Sequence, residues 1–173
     1  MGLFDRFRAG AAVPPSPVST SGEKDVLFSP ATGTTVALAD IADPVFSSGI
    51  LGPGLGVRPS EGVAYAPVSG NVAVVTSTSH AIAISSDEGA EVLIHVGLDT
   101  VGLRGRGFKT LVAKDEHVEA GEPLITFDRE LISASGLDDT IIVTVTNADQ
   151  FVGVEAACGD AARVGEPLLR VMR

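Results

Sequence analysis

From Asp25 onward, turn-forming residues recur at short intervals between runs rich in Val, Ile and Thr, and this rhythm constrains the fold more than any other feature. β-Branched side chains suit a pleated, half-buried surface and crowd a helix. Gly, Pro, Asn and Asp at close intervals end each run before a helix of ordinary length can form. The expectation is an all-β fold, an antiparallel sandwich or barrel-like single domain with few short helices. Strands are expected over 34–38, 56–59, 71–75, 81–85, 91–96, 123–127, 141–146 and 168–171. The best helical segment is 129–136, with Leu131 and Ile132 apolar and Gly136 as its stop.

Two pieces repeat imperfectly. Pro30-Ala31-Thr32-Gly33 followed by Val36 echoes Pro67-Val68-Ser69-Gly70 followed by Val72, and Val118 to Leu124 (VEAGEPL) echoes Val164 to Leu168 (VGEPL). A glycine turn feeding a strand explains both pairs and implies pseudo-symmetry. Biotinyl and lipoyl carriers share such symmetry, but they present a lysine at a hairpin tip, and this sequence has no comparable hairpin.

The first 25 residues read differently. Leu3, Phe4 and Phe7 fall at helical spacing with Asp5, Arg6 and Arg8 between them, which suits a short amphipathic helix; either weak attachment to an anionic membrane or a frayed, disordered terminus is expected. Pro14, Pro15 and Pro17 then lie among Ser and Thr, a composition that builds no core and reads as a flexible linker. The expected division is therefore a leader over 1–25 and one folded domain over 26–173. Gly2 is not a myristoylation start, because Arg6 stands where Ser or Thr is needed. No apolar run approaches the roughly 20 residues of a membrane span, and no secretory signal opens the chain, so a cytoplasmic location is expected. The lone Cys158 fits a reducing compartment and reads as a small core residue. A net charge of −10 argues against nucleic acid as a partner.

There are 3 histidines. His80 and His95 flank a polar stretch, Ser85 to Gly89, with apolar residues alternating on both sides, the pattern of a β-hairpin. A two-residue loop at Asp87-Glu88 sets His80 opposite His95, and one at Glu88-Gly89 makes them diagonal neighbours on the same face. A slip of one residue would send them to opposite faces. Two adjacent imidazoles are poor core fillers, so chemistry is the better reading. His95 can act as a nucleophile toward a phosphoryl group while neutral His80 donates a hydrogen bond to a phosphoryl oxygen. The Thr78 hydroxyl, two residues before His80, can fix that ring's tautomer. Asp99, four residues after His95, can orient a ring or repel a misplaced phosphate. The rival is a zinc hydrolase using His80, His95 and Asp99, although the His-x-His segment of the β-sheet zinc amidases is missing. A non-catalytic binding module is the third reading. His117, among charged residues before a turn, reads as a surface histidine.

The segments MGLFDRF, SPATGTTVALADIADPVFSSGILGPGLGVRP, YAPVSGNVAVV, TSTSHAIAI, EVLIHVGLDTVGLRGRGF and HVEAGEPLITFD together resemble the glucose-type enzyme IIA of the bacterial phosphoenolpyruvate-dependent sugar phosphotransferase system. The stretch Leu93 to Val101 matches that family's phosphorylation-site pattern. The resemblance implies a phosphotransferase component that holds a phosphohistidine intermediate rather than a stand-alone catalyst. It implies that His95 accepts phosphate on Nε2 from the histidine-containing phosphocarrier protein and passes it to a cysteine on the IIB domain of a sugar permease. His80 would be the second active-site histidine and Thr78 its hydrogen-bonding companion. It implies an antiparallel sandwich with a shallow apolar depression, to which Val45, Phe46, Ile50, Leu51, Ile82, Leu93 and Val101 correspond, and no intrinsic cofactor. Relatives also bind regulatory targets, in one case through a zinc ion shared between the two histidines and the partner. Thr76, Ser77 and Ile82 depart from the residues common in relatives, which bears on partner preference.

Overall fold

The computed structural model describes residues 13–173, so the expected helix at Leu3, Phe4 and Phe7 lies outside the described residues. The strands are β1 (Val26–Phe28), β2 (Gly33–Ala37), β3 (Gly54–Pro59), β4 (Val63–Tyr65), β5 (Gly70–Val75), β6 (Ala81–Ser86) and β7 (Glu91–Val96). They continue as β8 (Phe108–Thr110), β9 (His117–Val118), β10 (Pro123–Phe127), β11 (Ile141–Val145), β12 (Gly153–Ala156), β13 (Ala161–Ala162) and β14 (Pro167–Met172). Two short helices, α1 (Pro44–Ser47) and α2 (Arg129–Ala134), interrupt them. Each is capped by an aspartate, Asp43 or Asp128, whose carboxylate accepts a backbone N–H of the first turn.

All strand pairs are antiparallel. The main sheet has eight strands in the order β13-β2-β3-β11-β7-β6-β5-β9, and two three-stranded sheets, β1-β14-β12 and β4-β10-β8, complete the body. Ile82, Ile84, Val92, Ile94, Val96, Ile141 and Val143 point inward from the main sheet and pack with Leu27, Leu124, Leu168 and Leu169 in one core. The repeated segments occupy equivalent positions. Ser29 exchanges backbone hydrogen bonds with Gly165 and Glu166, and Ala66 does the same with Gly121 and Glu122. Phe28 donates to the Pro67 carbonyl as Tyr65 donates to that of Pro30, both at 2.9 Å.

Residues 13–23 have no helix or strand, and they cross these turns, with the Val18 N–H donating to the Gly121 carbonyl at 2.9 Å. Gly121 (φ +91°) leaves room for that passage, since a Cβ there would strike the Val18 carbonyl oxygen. Cys158 is half-buried against the core.

The outer face of the main sheet is only partly covered. The chain from Leu38 to Leu51, including α1, folds over β2, β3, β11 and β7 and forms a second, smaller cluster of Val36, Ile41, Phe46 and Ile142, with Leu38, Leu51 and Leu98 at its margin. β11 is therefore covered on both sides and is buried at every position, Thr144 included, rather than alternating. The cover ends at β7, and His95 stands at its edge.

Candidate functional site

His95 projects from the outer face of β7, where its neighbours are Ala81 on β6 and Ile142 on β11. The hairpin joining β6 and β7 differs from the expected one. Ser86 and Ala90 close a three-residue loop of Asp87, Glu88 and Gly89, with Gly89 left-handed at φ +95°. This is a type I turn with a bulge residue. The register is thereby shifted by one, and His95 pairs with Ala81 rather than His80.

The two rings nevertheless meet, with centroids 4.8 Å apart and planes at 82°. His80 escapes the strand's alternation because it is the last residue of the turn before β6, not part of the strand. Ser79 is left-handed at φ 60°, and Thr76 closes the turn by backbone and hydroxyl hydrogen bonds to Ala81.

The Thr78 hydroxyl lies 2.6 Å from His80 Nδ1. The Thr76 hydroxyl, at 3.4 Å, is already engaged by the Ala81 backbone at 3.1 Å. Burial lowers the His80 pKa, so the ring is held toward its neutral form. When the Thr78 hydroxyl donates to Nδ1, the ring proton is left on Nε2.

His95 is more strongly perturbed. Burial first, then the neighbouring His80, lower its pKa to about 4, against smaller upward pulls from the Gly97 backbone, Asp43 and Asp99. The ring is therefore neutral at physiological pH, as a nucleophile must be. Its Nδ1 is buried without a formed hydrogen bond, which leaves Nε2 as the nitrogen that reaches solvent. The Gly97 backbone pulls the His95 pKa upward, the direction expected of a neighbour that favours a protonated ring.

Phe46 of α1 stands edge-on to His95, centroids 5.0 Å apart, and is 3% exposed. It is a wall of the site rather than part of an open rim. Phe46→Ala is expected to admit water and to raise the His95 pKa from about 4 toward its ordinary value. Titration of the ring protons by NMR checks this, and an unchanged midpoint would show that Phe46 does not cause the desolvation.

Of the expected apolar collar, Val45, Ile50 and Val101 are exposed at 49%, 78% and 55%, while Leu51 and Leu93 are half-buried. Ile82 does not belong to it. It pairs with Ile94 on the inner face of β6 and is fully buried. Val74 takes a place that strand alternation alone assigns to the interior. A bulge between Val72 and Val74 reverses the alternation of β5, so Val74, 50% exposed, lies beside Ala83 and Leu93 on the outer face. Asp99 is exposed, left-handed at φ 57°, and forms no hydrogen bond with either ring. Its effect on His95 ranks after that of Asp43, the α1 cap. The Asp43-Pro44 pair was a readable helix start in the sequence. His117 is a surface residue, 3.0 Å from Asp87.

Among the described residues no three of His, Cys, Asp and Glu converge as metal ligands, so His80, His95 and Asp99 do not form a zinc centre. The cleft of about 260 Å³ between Glu23, Phe28, Ser69 and Glu88 is lined by neither His80 nor His95.

A family model described as phosphoenolpyruvate-dependent sugar phosphotransferase system, EIIA 1, matches residues 25–151. The chain belongs to this family. It is 39% identical over 145 residues to a glucose-specific EIIA component of Staphylococcus aureus, covering 83% of this chain and 87% of that one. A solved structure of glucose permease IIA from Mycoplasma capricolum superposes with a TM-score of 0.74 at 32% identity, covering 83% of this chain and 93% of that one. A beta-glucoside-specific EIIBCA component of Bacillus subtilis is 44% identical over 78% of this chain, of which the match spans 22%. A glucose-specific EIIBCA component of Corynebacterium glutamicum is 43% identical over 87% of this chain, the match spanning 23% of its length. The chain thus covers under a quarter of these EIIBCA relatives. As in the EIIA structure it resembles, the EIIA domain is an antiparallel β body. No helix of the described residues is long and apolar enough to cross a membrane.

Proposed function

We propose that this EIIA domain carries a phosphoryl group on Nε2 of His95, taken from the histidine-containing phosphocarrier protein and given to a cysteine on the IIB domain of a sugar permease. The observation that supports this most directly is the asymmetry of the His95 ring: Nδ1 is sealed inside, Nε2 faces solvent, and a second imidazole stands 4.8 Å away. The neutral ring attacks phosphorus through Nε2 as the donor's P–N bond breaks. The Nδ1 proton stays in place, so the ring can later leave as neutral imidazole when a thiolate attacks. His80, with its proton on Nε2, donates to a phosphoryl oxygen and stabilises the charge of the transferring group.

The exposed Val45, Ile50, Val74 and Val101 form an apolar margin for transient docking. The work belongs on the cytoplasmic side of a membrane, where a permease's IIB domain meets its carrier. Relatives of similar identity are named for beta-glucoside, glucose and mannose, which supports a carrier that leaves the choice of sugar to the permease.

Incubation with phosphoenolpyruvate and the purified general phosphotransferase proteins is expected to add one acid-labile, base-stable phosphate per chain, mapped by mass spectrometry to His95. A chain that stays unlabelled would end this reading, and stoichiometric zinc in the isolated protein would favour hydrolysis instead.

A further inference from the structure

The chain has 12 Lys and Arg against 22 Asp and Glu, yet in the loop that returns beside Thr78 the balance is reversed. The loop between β7 and β8 starts at Gly97, two residues after His95, and carries the exposed Val101 of the apolar margin. It returns with Gly105 against Thr78, the residue that holds His80. A Cβ built on Gly105 would lie 3.8 Å from the Thr78 carbonyl oxygen. Arg104 and Arg106 flank that contact, and Lys109 follows on β8. All three are exposed, and among the described residues none is in an ion pair. From Gly97 to Lys109 the only acid is Asp99.

Arg104 is left-handed at φ 54°, a conformation that glycine takes without steric cost. Gly102, Gly105 and Gly107 surround it, so a cation occupies a position that local geometry would fill with glycine. Asp43, which pulls on His95 from α1, supplies the opposite sign. The docking face is therefore charged asymmetrically about its apolar centre.

We propose that the Arg104–Lys109 loop is the basic edge of this face and that the IIB domain presents carboxylates to it when it receives the phosphoryl group. The inference rests on the carrier reading above. IIB is the partner chosen because relatives 43% and 44% identical bear the EIIBCA designation. Rim charges of this kind steer encounter and set orientation more than they add affinity.

The test uses the full chain, loaded with radiolabelled phosphate, and a purified IIB domain of the same organism. The Arg104→Glu/Arg106→Glu variant is expected to donate about tenfold more slowly at about 0.05 M salt, with the deficit shrinking toward none at about 1 M as charges are screened. Arg104→Lys/Arg106→Lys should retain most of the wild-type rate. Because Arg104 is left-handed, Arg106→Glu alone provides a second reading in ordinary backbone, with about a threefold deficit at low salt. A variant that donates with wild-type salt dependence would overturn the proposal. So would a deficit equal at both salt levels, or one confined to loading by the phosphocarrier protein. Failure of the wild type to label at His95 would instead defeat the carrier reading itself.

Discussion

His95→Gln is expected to take up no phosphate and, at the same time, to resist acid better than the wild type. The first effect follows from removing the only nitrogen of the pair that combines solvent access with a depressed pKa of about 4. The second follows from linkage. The folded-state pKa lies below the unfolded value of 6.5, so as pH falls the unfolded chain takes up a proton that the folded chain refuses. The resulting loss of stability begins near pH 6.5 and is complete only below pH 4. A shift of that size corresponds to a loss on the order of 3 kcal/mol. His80, whose pKa is lowered by burial, contributes in the same direction but remains in the variant. Denaturant unfolding from pH 7 to pH 4 should therefore show the wild type losing more stability than His95→Gln. Parallel pH profiles would mean that the ring is not desolvated as the geometry implies.

What could be read from the sequence, and what could not, divides along a physical line. Turn residues between β-branched runs act locally, and the strands around Ile84, Ile94 and Val143 formed where those runs lie. The paired Gly turns also read correctly, because each needs only its own few residues to form, and their backbone bonds are matched across the pseudo-symmetry. Register was different. The choice between a two- and a three-residue loop at Asp87 to Gly89 depends on how Ser86 and Ala90 close, and neither candidate loop has the Asn-Gly signal that decides such cases. His80 met His95 despite the changed register because a turn, not a strand, delivers it. Strand alternation had supported the right pair through the wrong geometry. The resemblance of the Leu93 to Val101 stretch to a known site pattern pointed to the same residues independently. The roles of Val74 and Ile82 were not legible, since a bulge decides the face of Val74 and the register set by the three-residue loop turns Ile82 inward opposite Ile94.

The second large effect is expected from His80→Gln, which should still load phosphate but pass it on about 10²–10³-fold more slowly, the usual consequence of losing a donor aimed at developing charge. The nucleophile is untouched in this variant, so loading from an excess of donor proceeds to completion. Onward transfer is more demanding. Loading exchanges phosphoryl between two neutral rings, whereas donation brings a thiolate up to the phosphoryl oxygens and adds negative charge at the point where His80 Nε2–H stands. Glutamine carries its amide nitrogen as many bonds from Cβ as the imidazole Nε2, but on a flexible stem that the Thr78 hydroxyl, 2.6 Å from Nδ1 in the native protein, no longer fixes. Thr78→Val removes the same fixation while keeping the imidazole, and should slow donation by about tenfold, the equivalent of one hydrogen bond of about 1.4 kcal/mol. Rapid-quench measurement of both half-reactions distinguishes the steps. If His80→Gln slows loading and donation by the same factor, the second ring serves to hold His95 in place rather than to stabilise the phosphoryl group in flight.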